Sequence, residues 1–432
     1  MEGGTVRIQP DGILGAMVAS EGFRGNTTLV NGAGGCRSRA QIVLRDLVPE
    51  YREEDPRCCG SPFFSRQSRL PCTYLGSDDI VFGTGCKVSE GLDAVRSVKG
   101  GRTVLVDTLG ASLLCTDYSR IPSEGTVICD ADLASMSFHE GFDLMTESVL
   151  RSMDIDGPGT DGPSVNILGY NLSDLGWVQG REELTRLLLA MGVRVNAFVG
   201  CDCTDGEVAT SGSSDLNVVV HPEYAIGTSR FYPDTFGTPA LVPSMGAPVG
   251  YAATRSLLTE VADRLGVDPA PALGMVSADE SLVLSRLMNC NKVVDSLRAK
   301  GFALEGDSST VYPLMVWMHT VFRMVPRSVV LHDGAYLAEV VGFLDGIGAG
   351  DAMGSGDTGD CEVVFTDGVT AGHGVLMDPA RSHVAIGMPY PGVVDLMRRC
   401  MVATSGCRYI LDTMLNGIGR FGCGQPSNVD MR

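Results

Sequence analysis

The sequence REELTRLLLAMGVRVNAFVG, residues 181–200, joins a helical pattern to a strand pattern. Its first part is an amphipathic pattern with apolar residues at helical spacing, and it ends at Gly192, a residue type that commonly terminates helices. The apolar run VRVNAFVG, residues 193–200, follows at once and is typical of a buried strand. A helix that leads directly into a buried strand predicts an α/β architecture.

The same alternation recurs along the chain. Other short apolar runs, each followed by a Gly, Asp, Asn or Pro turn, are TVLVDT (103–108), SVNILGYN (164–171), LNVVVH (216–221), FALEGD (302–307), SVVLHDG (328–334), CEVVFTDG (361–368) and HVAIGMP (383–389). Helical patterns between them cover 248–266, 309–324, 335–348 and 392–419. We therefore predict Rossmann-like, doubly wound α/β domains with mainly parallel sheets.

Two segments with linker-like composition, called seams below, divide the chain. The stretch SMDIDGPGTDGPS, residues 152–164, is rich in Gly, Pro and Asp, and GVDPAPALGMVSADES, residues 266–281, is rich in Pro. Composition of this kind is typical of segments between domains. We predict three α/β domains, at residues 1–160, 161–275 and 276–432.

Composition excludes two classes of partner. The 432-residue chain carries a net charge of −19, whereas nucleic-acid binding needs clustered Lys and Arg. No run reaches about 18 apolar residues, so we predict no membrane span. The start MEGGTVRIQP lacks the basic and apolar parts of a signal peptide. We therefore expect a cytoplasmic protein with neither a nucleic-acid nor a membrane partner.

The chain has 14 cysteines, and in a reducing compartment these favour metal binding or plain burial over disulfides. Cys36 follows the glycines of NGAGGC and precedes a helix-like run, and a helix N-terminus stabilises a thiolate. Cys72 follows a proline and precedes a polar turn and a short expected strand, IVFG (80–83). No C-x-x-C spacing is present, which disfavours a zinc ribbon. Spacing alone leaves buried thiols and a metal centre both open.

Ligands in open α/β sheets lie at the carboxyl ends of strands. Polar side chains that follow the predicted strands include His221, Glu223, Cys201, Glu305, Asp307, His332 and His373. Each histidine alone is typical of a hydrogen-bonded structural residue, but three at strand ends indicate a shared polar pocket. The segment GDSST (306–310) lacks the lysine of a phosphate-binding loop and is expected to cap the next helix.

Several segments together resemble the nitrogenase component 1 superfamily. They are GILGAMVASEGFRGNTTLVNGAGGC (12–36), PCTYLGSDDIVFG (71–83), DTLGASLLCTD (107–117), VNILGYNLSD (165–174), LNVVVHPEYAIG (216–227) and FALEGDSSTVYPLMVWM (302–318). The superfamily includes the dinitrogenase subunits, a cofactor-assembly scaffold and the dark-operative tetrapyrrole reductases. The order and spacing of these segments carry the resemblance, which extends through nearly the whole chain.

This resemblance implies three Rossmann-like domains around a central cleft and a [4Fe–4S] cluster at a subunit interface. It also implies an ATP-dependent iron–sulfur reductase as the electron donor, and oxygen sensitivity typical of anaerobic proteins. Residues 1–160 would be the cluster-binding domain. Cys36 and Cys72 match two cysteine positions of the family, whereas the third position falls at Gly110.

Two ligand sets compensate for Gly110. In the first, which we prefer, a symmetric dimer supplies Cys36 and Cys72 from each subunit, giving four thiolates. In the second, Cys115 is the third ligand. The pair Cys58–Cys59 is a further candidate for cluster ligation in either case. The partner subunit is then another copy of this chain or a homologue, in a homodimer, a heterodimer or a heterotetramer.

The cleft of this chain departs from that of dinitrogenase. His221 lies roughly where dinitrogenase has a cofactor-binding cysteine, and the late histidine ligand has no clear counterpart, so nitrogen fixation is not expected. We expect an oxidoreductase that reduces a cleft-bound substrate, with His221, Glu223, Asp307 and His373 as candidate catalytic residues. The cleft would hold a second metal cofactor or a tetrapyrrole-like substrate. The alternatives are a scaffold or carrier for a metal cluster, and a paralogue that keeps the fold without a cluster.

Overall fold

The computed structural model describes residues 10–48, 69–98, 100–121, 124–129, 131–157, 159, 162–289, 291–389 and 399–422. The strands in these ranges are β1 (Asn26–Asn31), β2 (Arg102–Asp107), β3 (Thr126–Ile128), β4 (Ser164–Leu168), β5 (Arg194–Phe198), β6 (Leu216–Val219), β7 (Ala240–Leu241), β8 (Gly301–Gly306), β9 (Val325–Leu331), β10 (Cys361–Asp367) and β11 (Ser382–Gly387). They form three sheets, in the orders β1-β2-β3, β5-β4-β6-β7 and β11-β10-β8-β9.

Helices separate most of these strands. They are α1 (Gly12–Glu21), α2 (Gly34–Leu47), α3 (Ser77–Phe82), α4 (Gly85–Val98), α5 (Leu109–Ser112), α6 (Phe138–Arg151), α7 (Trp177–Ala190), α8 (Asp205–Ala209), α9 (Thr228–Phe236), α10 (Tyr251–Leu265), α11 (Ala270–Asn289), α12 (Asn291–Leu297), α13 (Ser308–Phe322), α14 (Leu337–Gly346), α15 (Gly368–Met377) and α16 (Ala403–Gly422). None of those within the described ranges combines the length and hydropathy that a bilayer crossing requires.

The first sheet is parallel throughout and packs against α4. Strand β1 pairs with β2 in a register that sets Asn31 opposite Asp107, and β2 pairs with β3. Leu29 and Leu105 of these strands pack against buried apolar residues of α4, among them Leu92. Since both strands run the same way, their carboxyl ends meet at one edge, where Asn31 and Asp107 lie.

The strand pairings described for the other two sheets are also parallel. In the last sheet β8 lies between β10 and β9, and all three pairings are parallel. Phe302 of β8 and Phe365 of β10 are fully buried and meet edge to face with ring centroids 6.5 Å apart. In the middle sheet β6 pairs in parallel with β4 and β7. The predicted fold class, α/β with mainly parallel sheets, is confirmed.

The contacts divide the chain into two compact units. Unit 1 comprises Met1–Pro158, Ala197–Ser213 and Tyr224–Gly237, and unit 2 comprises Gly159–Asn196, Ser214–Glu223 and Thr238–Arg432. The predicted boundary at 160/161 precedes β4, and the one at 275/276 falls inside α11. The division into three domains stays a prediction.

Three local predictions are wrong. The run IVFG, residues 80–83, is not a strand, because α3 covers Ser77–Phe82, with Asp79 accepting a hydrogen bond from the Gly76 amide across its first turn. The Pro-rich seam at 266–281 is largely helical, since its prolines fall near the start of α11, where proline is tolerated. The helix predicted for 392–419 is interrupted, because residues 399–402 are not helical and α16 begins at Ala403; the part of this prediction that falls on 392–398 lies outside the described residues.

Helices α1 and α6 approach each other closely in unit 1. Ser137 and Glu140 begin α6 with a reciprocal capping box, in which each side chain accepts from the other residue's amide. Glycines lie at the contact: a Cβ on Gly15 would stand 2.1 Å from the Phe138 carbonyl oxygen, and one on Gly141 would stand 2.1 Å from the Gly12 oxygen. The close spacing of α1 and α6 therefore depends on glycine, which has no side chain, at these two positions.

We predict that Gly15→Ala lowers the free energy of unfolding by roughly 1–3 kcal/mol, because the methyl group forces the two helices apart. Urea denaturation followed by circular dichroism measures the change. Gly274→Ala is the matched control, since a Cβ there meets no atom within 4 Å; it should leave stability unchanged or raise it by up to about 1 kcal/mol. Equal losses in both variants would contradict the close-packing argument.

Candidate functional site

Cys36 lies at the carboxyl edge of the first sheet. Strand β1 ends at Asn31, and α2 begins at Gly34 after a short turn, so Cys36 is the third residue of the helix. The N-cap residue, Ala33, provides no side-chain hydrogen bond to the first turn. The Cys36 thiol is exposed. An uncapped helix N-terminus favours an anionic group, so this edge suits a metal-bound thiolate.

Cys72 lies beside the end of the same strand. It forms a parallel bridge with Val30, and the amide of Leu75 donates to the Gly32 carbonyl at 2.9 Å. The Cys72 thiol donates to the Gly32 oxygen at 3.2 Å, and its sulfur accepts from the Tyr74 amide at 3.4 Å. An amide donor to sulfur also stabilises a metal-bound thiolate.

The two thiols interact electrostatically. Burial raises the pKa of the Cys72 thiol, the Tyr74 amide and the Arg37 guanidinium lower it, and charge on Cys36 raises it. Like-charge repulsion between neighbouring thiolates is relieved when both bind a cation. The structure thus brings together Cys36 and Cys72, which the sequence analysis paired as cluster ligands.

A polar network connects the strand ends beneath the thiols. Thr73 Oγ1 donates to Asn31 Oδ1 at 2.9 Å, and Asn31 Nδ2 donates to Asp107 Oδ1 at 2.8 Å. The Tyr118 hydroxyl donates to the same carboxylate at 2.6 Å, and Thr108 Oγ1 donates to the Asn31 carbonyl at 3.0 Å. Burial raises the pKa of Asp107, and the hydrogen bonds from Tyr118 and Asn31 lower it. The Cys72 segment is therefore anchored to both β1 and β2.

Gly110 occupies the position where the sequence resemblance predicts a third cysteine. Gly110 lies in α5, directly after β2, and a Cβ there would meet no atom within 4 Å. Cys115 is exposed beyond α5 with a φ of 47°, and its thiol lies 4.0 Å from the Leu113 carbonyl oxygen. Among the described residues no hydrogen bond or electrostatic interaction joins Cys115 to Cys36 or Cys72. Its role as third ligand stays a prediction, and the further candidate pair Cys58–Cys59 lies outside the described residues.

Apolar side chains are exposed on the segments next to this edge. Helix α3, which follows the Cys72 segment, buries none of its residues, and Phe82 is 86% exposed. The large exposed apolar side chains of these segments, called the apolar rim below, are Tyr74, Ile80, Val81, Phe82, Leu109 and Leu113. Exposed apolar groups in such number are typical of protein interfaces.

A second polar cluster lies in unit 2, at the carboxyl ends of β6 and β8. His221 follows β6, Glu223 follows two residues later, and Ser309 is the second residue of α13. The Ser309 hydroxyl donates to Glu223 Oε1 at 2.6 Å and lies 2.6 Å from Nδ1 of His221. His221 Nε2 lies 3.2 Å from Asp174 Oδ1, and the Tyr170 ring stacks on the imidazole.

This cluster is buried and strongly coupled. His221 and Glu223 are each only 3% exposed. Burial alone would lower the pKa of His221, but the Asp174, Glu223 and Asp307 carboxylates raise it. Burial raises the pKa of Glu223, and Asp333 and Asp307 raise it further against the effect of His221. Raised pKa values in both groups favour the protonated forms that a proton donor needs.

Asp307 belongs to a neighbouring acidic group. It is the N-cap residue of α13, as the GDSST pattern predicts, and lies 3.5 Å from His332 Nδ1. Glu305 Oε1 lies 3.8 Å from Nε2 of the same imidazole. The neighbouring carboxylates of Asp307 and Glu305 raise the pKa of His332 to about 10. The structure therefore brings five of the predicted residues together in unit 2, namely His221, Glu223, Glu305, Asp307 and His332, and their role as a binding pocket stays a prediction.

Other predicted residues lie elsewhere. His373 does not follow a strand directly: it lies within α15 and is exposed. Cys201 is buried in unit 1. The thiol of its neighbour Cys203 donates a hydrogen bond to the Gly22 carbonyl oxygen, so this turn is packed. Sequence reasoning missed Asp174 as a partner of His221, and it assigned Ser309 only to helix capping. The position of Asp174 a few residues after β4 was the one available signal.

The sequence profile of the family described as nitrogenase component 1 type oxidoreductase matches residues 12–335. The chain belongs to this family. Two solved structures of nitrogenase Cp1 share its fold. The one at pH 6.5 has a TM-score of 0.76 at 15% identity and covers 97% of this chain and 95% of that chain. The one at pH 5 has a TM-score of 0.67, also at 15% identity, and covers 98% and 90%.

Curated relatives match over a shorter part, and those compared are subunits of light-independent protochlorophyllide reductases. The relative from Rhodospirillum rubrum is 34% identical over 154 residues, which are 35% of this chain and 26% of that protein. The relative from Methylobacterium sp. strain 4-46 is 35% identical over 148 residues, 34% of this chain and 27% of that protein. The match thus spans about a quarter of each relative.

We predict unequal reactivity of the thiols in metal-free protein. Cys36 is exposed, whereas Cys72 is half-buried with a raised pKa. Iodoacetamide should modify Cys72 about tenfold more slowly than Cys36, and the Cys72 rate should rise with pH. Mass spectrometry of tryptic peptides measures both rates, with the exposed Cys86 as an internal reference. Equal rates would contradict the described burial of Cys72.

A stability prediction follows from the raised pKa of His332. Its stabilising contribution is complete below about pH 6.5 and is lost as pH rises to about 10. His332→Gln should therefore lower the melting temperature at pH 6 by about 1–2 °C, a small value because solvent screens the half-exposed imidazole. The deficit should vanish near pH 10. His373→Gln, at the exposed α15 position, is the control, and a deficit independent of pH would contradict the ion-pair interpretation.

Proposed function

We propose that this chain is one subunit of a nitrogenase-like iron–sulfur oxidoreductase. It would receive low-potential electrons from an ATP-dependent iron–sulfur reductase and reduce a substrate bound at the polar ends of the unit 2 strands, in the predicted cleft. The observation that carries this proposal is the pairing of Cys36 and Cys72 at one sheet edge in a member of this family. We retain the prediction of a cytoplasmic protein.

The residues present fit an iron–sulfur cluster in three respects. Thiolates are the ligands that such clusters use. Cys36 is exposed beside Gly35, where a Cβ would meet no atom within 4 Å, so a bulky group has room. The Tyr74 amide already donates to the Cys72 sulfur. When bound, a [4Fe–4S] cluster supplies single-electron transfer at low potential.

Two thiols alone cannot complete the usual four-cysteine set. The apolar rim supports a second protein surface over this edge, because burying it removes exposed apolar groups from water. A symmetric partner would contribute its own two thiols, and a homologous subunit would contribute a different set. We favour the symmetric dimer, with Cys115 as the alternative third ligand.

The unit 2 cluster would handle protons. His221, Glu223 and Asp307 lie together there, whereas the exposed His373 is a weaker candidate. Raised pKa values keep His221 and Glu223 protonated around neutral pH, so either can donate a proton to a group that has gained electrons. Positioned proton donors of this kind contribute about 10²–10⁴-fold to rates.

The relatives' names indicate the substrate class. Their matched segments belong to subunits of light-independent protochlorophyllide reductases, so a tetrapyrrole-like substrate is the first class to test. A role as scaffold or carrier for a metal cluster is the second candidate, favoured by the family's missing cysteine at Gly110. The two differ because an enzyme turns over its substrate, whereas a scaffold releases its cluster.

We predict the iron content of anaerobically purified protein. Wild type should contain about two irons per chain, one [4Fe–4S] cluster across a dimer, with a rhombic EPR signal after dithionite. Cys36→Ala and Cys72→Ala should lose iron and signal, and Cys115→Ala, the matched control, should keep both. Iron and sulfide assays with EPR measure these quantities.

Other outcomes revise the proposal. About four irons per chain, lost also in Cys115→Ala, would assign Cys115 as a ligand and favour one cluster per chain. Absence of iron in every preparation, including co-expression with a reductase partner, would overturn the redox function. It would leave the paralogue without a cluster as the remaining interpretation.

A further inference from the structure

We propose that Ser309 is a proton-transfer link between His221 and Glu223, so that the buried glutamic acid can be reprotonated from the imidazole. The inference rests on the proposed reductive chemistry only for its purpose, since a reduction consumes protons. The geometry that carries it lies wholly within unit 2.

Hydrogen-bond directions assign the protons. Ser309 is fully buried, and its single hydroxyl proton is donated to Glu223 Oε1 at 2.6 Å. The 2.6 Å contact between Ser309 Oγ and His221 Nδ1 must then be an N–H donation from the imidazole, because the hydroxyl has no second proton. His221 Nε2 lies against Asp174 Oδ1 at 3.2 Å. Both imidazole nitrogens therefore face acceptors, as an imidazolium requires.

Glu223 presents two different oxygens. Oε1 accepts from Ser309, whereas the buried Oε2 has no hydrogen-bond partner among the described residues. A buried carboxyl oxygen without a partner is costly unless something outside the chain's own atoms meets it. In this arrangement Oε1 can receive a proton from Ser309, and Oε2 can give a proton to a bound group.

The transfer conserves protons. Glu223 first gives the proton on Oε2 to a basic group of the bound molecule and becomes a carboxylate. The Ser309 hydroxyl proton then moves to Oε1 of Glu223 as the Nδ1 proton of His221 moves to Ser309 Oγ. Imidazolium and carboxylate become imidazole and carboxylic acid, and one proton has been delivered.

The surrounding charges support this direction. Asp307 and Asp333 both face Glu223 and hold its proton more firmly, and Asp174 faces the imidazole from the β4 side. The neighbouring aromatic groups are Tyr170, which stacks on His221, and Tyr336, whose pKa Glu223 helps to raise. The carboxylates of Asp174, Glu305, Asp307 and Asp333 outnumber the imidazoles of His221 and His332, so a proton that enters the cluster is retained.

Solvent exchange of the imidazole protons tests the link without any cluster or substrate. The full chain, labelled with ¹⁵N-histidine, is studied by NMR magnetisation transfer from water. In wild type the Nδ1 proton of His221 leaves through Ser309, and Ser309→Ala should slow its exchange at least about tenfold, as expected when a buried transfer step is removed. Ser309→Thr keeps the hydroxyl and should restore exchange. The Nε2 proton, which faces Asp174, is the internal control and should be unaffected.

A merely structural role predicts the opposite sign. Loss of a buried hydrogen bond loosens the site, so both imidazole protons would exchange faster in Ser309→Ala. Unchanged or faster Nδ1 exchange in a folded variant overturns the proposal. If Ser309→Ala does not fold, Glu223→Gln decides, because it keeps the Ser309 hydroxyl but cannot relay a proton; it should slow Nδ1 exchange while sparing Nε2. These outcomes are independent of the iron content that tests the proposed function.

Discussion

Parallel pairing of strands is the constraint on which the rest of this molecule depends. Parallel strands end together, so their polar turns gather at one edge of each sheet, while the apolar strands themselves stay buried. In the first sheet this brings Asn31 and Asp107 together and, through Thr73, holds the Cys72 segment beside β1. In unit 2 the ends of β6 and β8, which belong to different sheets, meet through the contact between His221 and Ser309.

The two edges differ in what surrounds them. The thiol edge is open, with an exposed Cys36 and a rim of exposed apolar side chains, which suits a shared group under a second protein surface. The His221 edge is closed, so its charges are costly unless each finds a partner. The chain offsets that cost with an ion pair between Asp174 and His221 and with the hydrogen bonds that connect His221, Ser309 and Glu223. Under the proposed function, electrons would enter at the thiol edge and protons would come from the His221 edge.

Packing around these edges relies on small residues. Helix α1 contacts α6 through Gly15 and Gly141, where side chains would overlap backbone atoms. Close helix contacts of this kind leave little freedom for the following strand, β1, whose end positions Cys36 and Cys72. Gly110 differs, because a Cβ there would meet no atom within 4 Å, so packing does not require a glycine at this position.

The alternation of helices and strands, the parallel sheets and the family were predictable from the sequence, because apolar periodicity and turn residues act locally and repeat in a recognisable order. The sequence also identified His221, Glu223 and Asp307 as residues at strand ends. Only the tertiary structure decided which ends meet. Ser309 reaches His221 across 88 positions and from a different sheet, and the packing of one sheet's edge against another is not encoded in local pattern. The same limit explains α3, whose apolar residues look like a strand yet form an exposed helix, and His373, which the fold leaves at the surface.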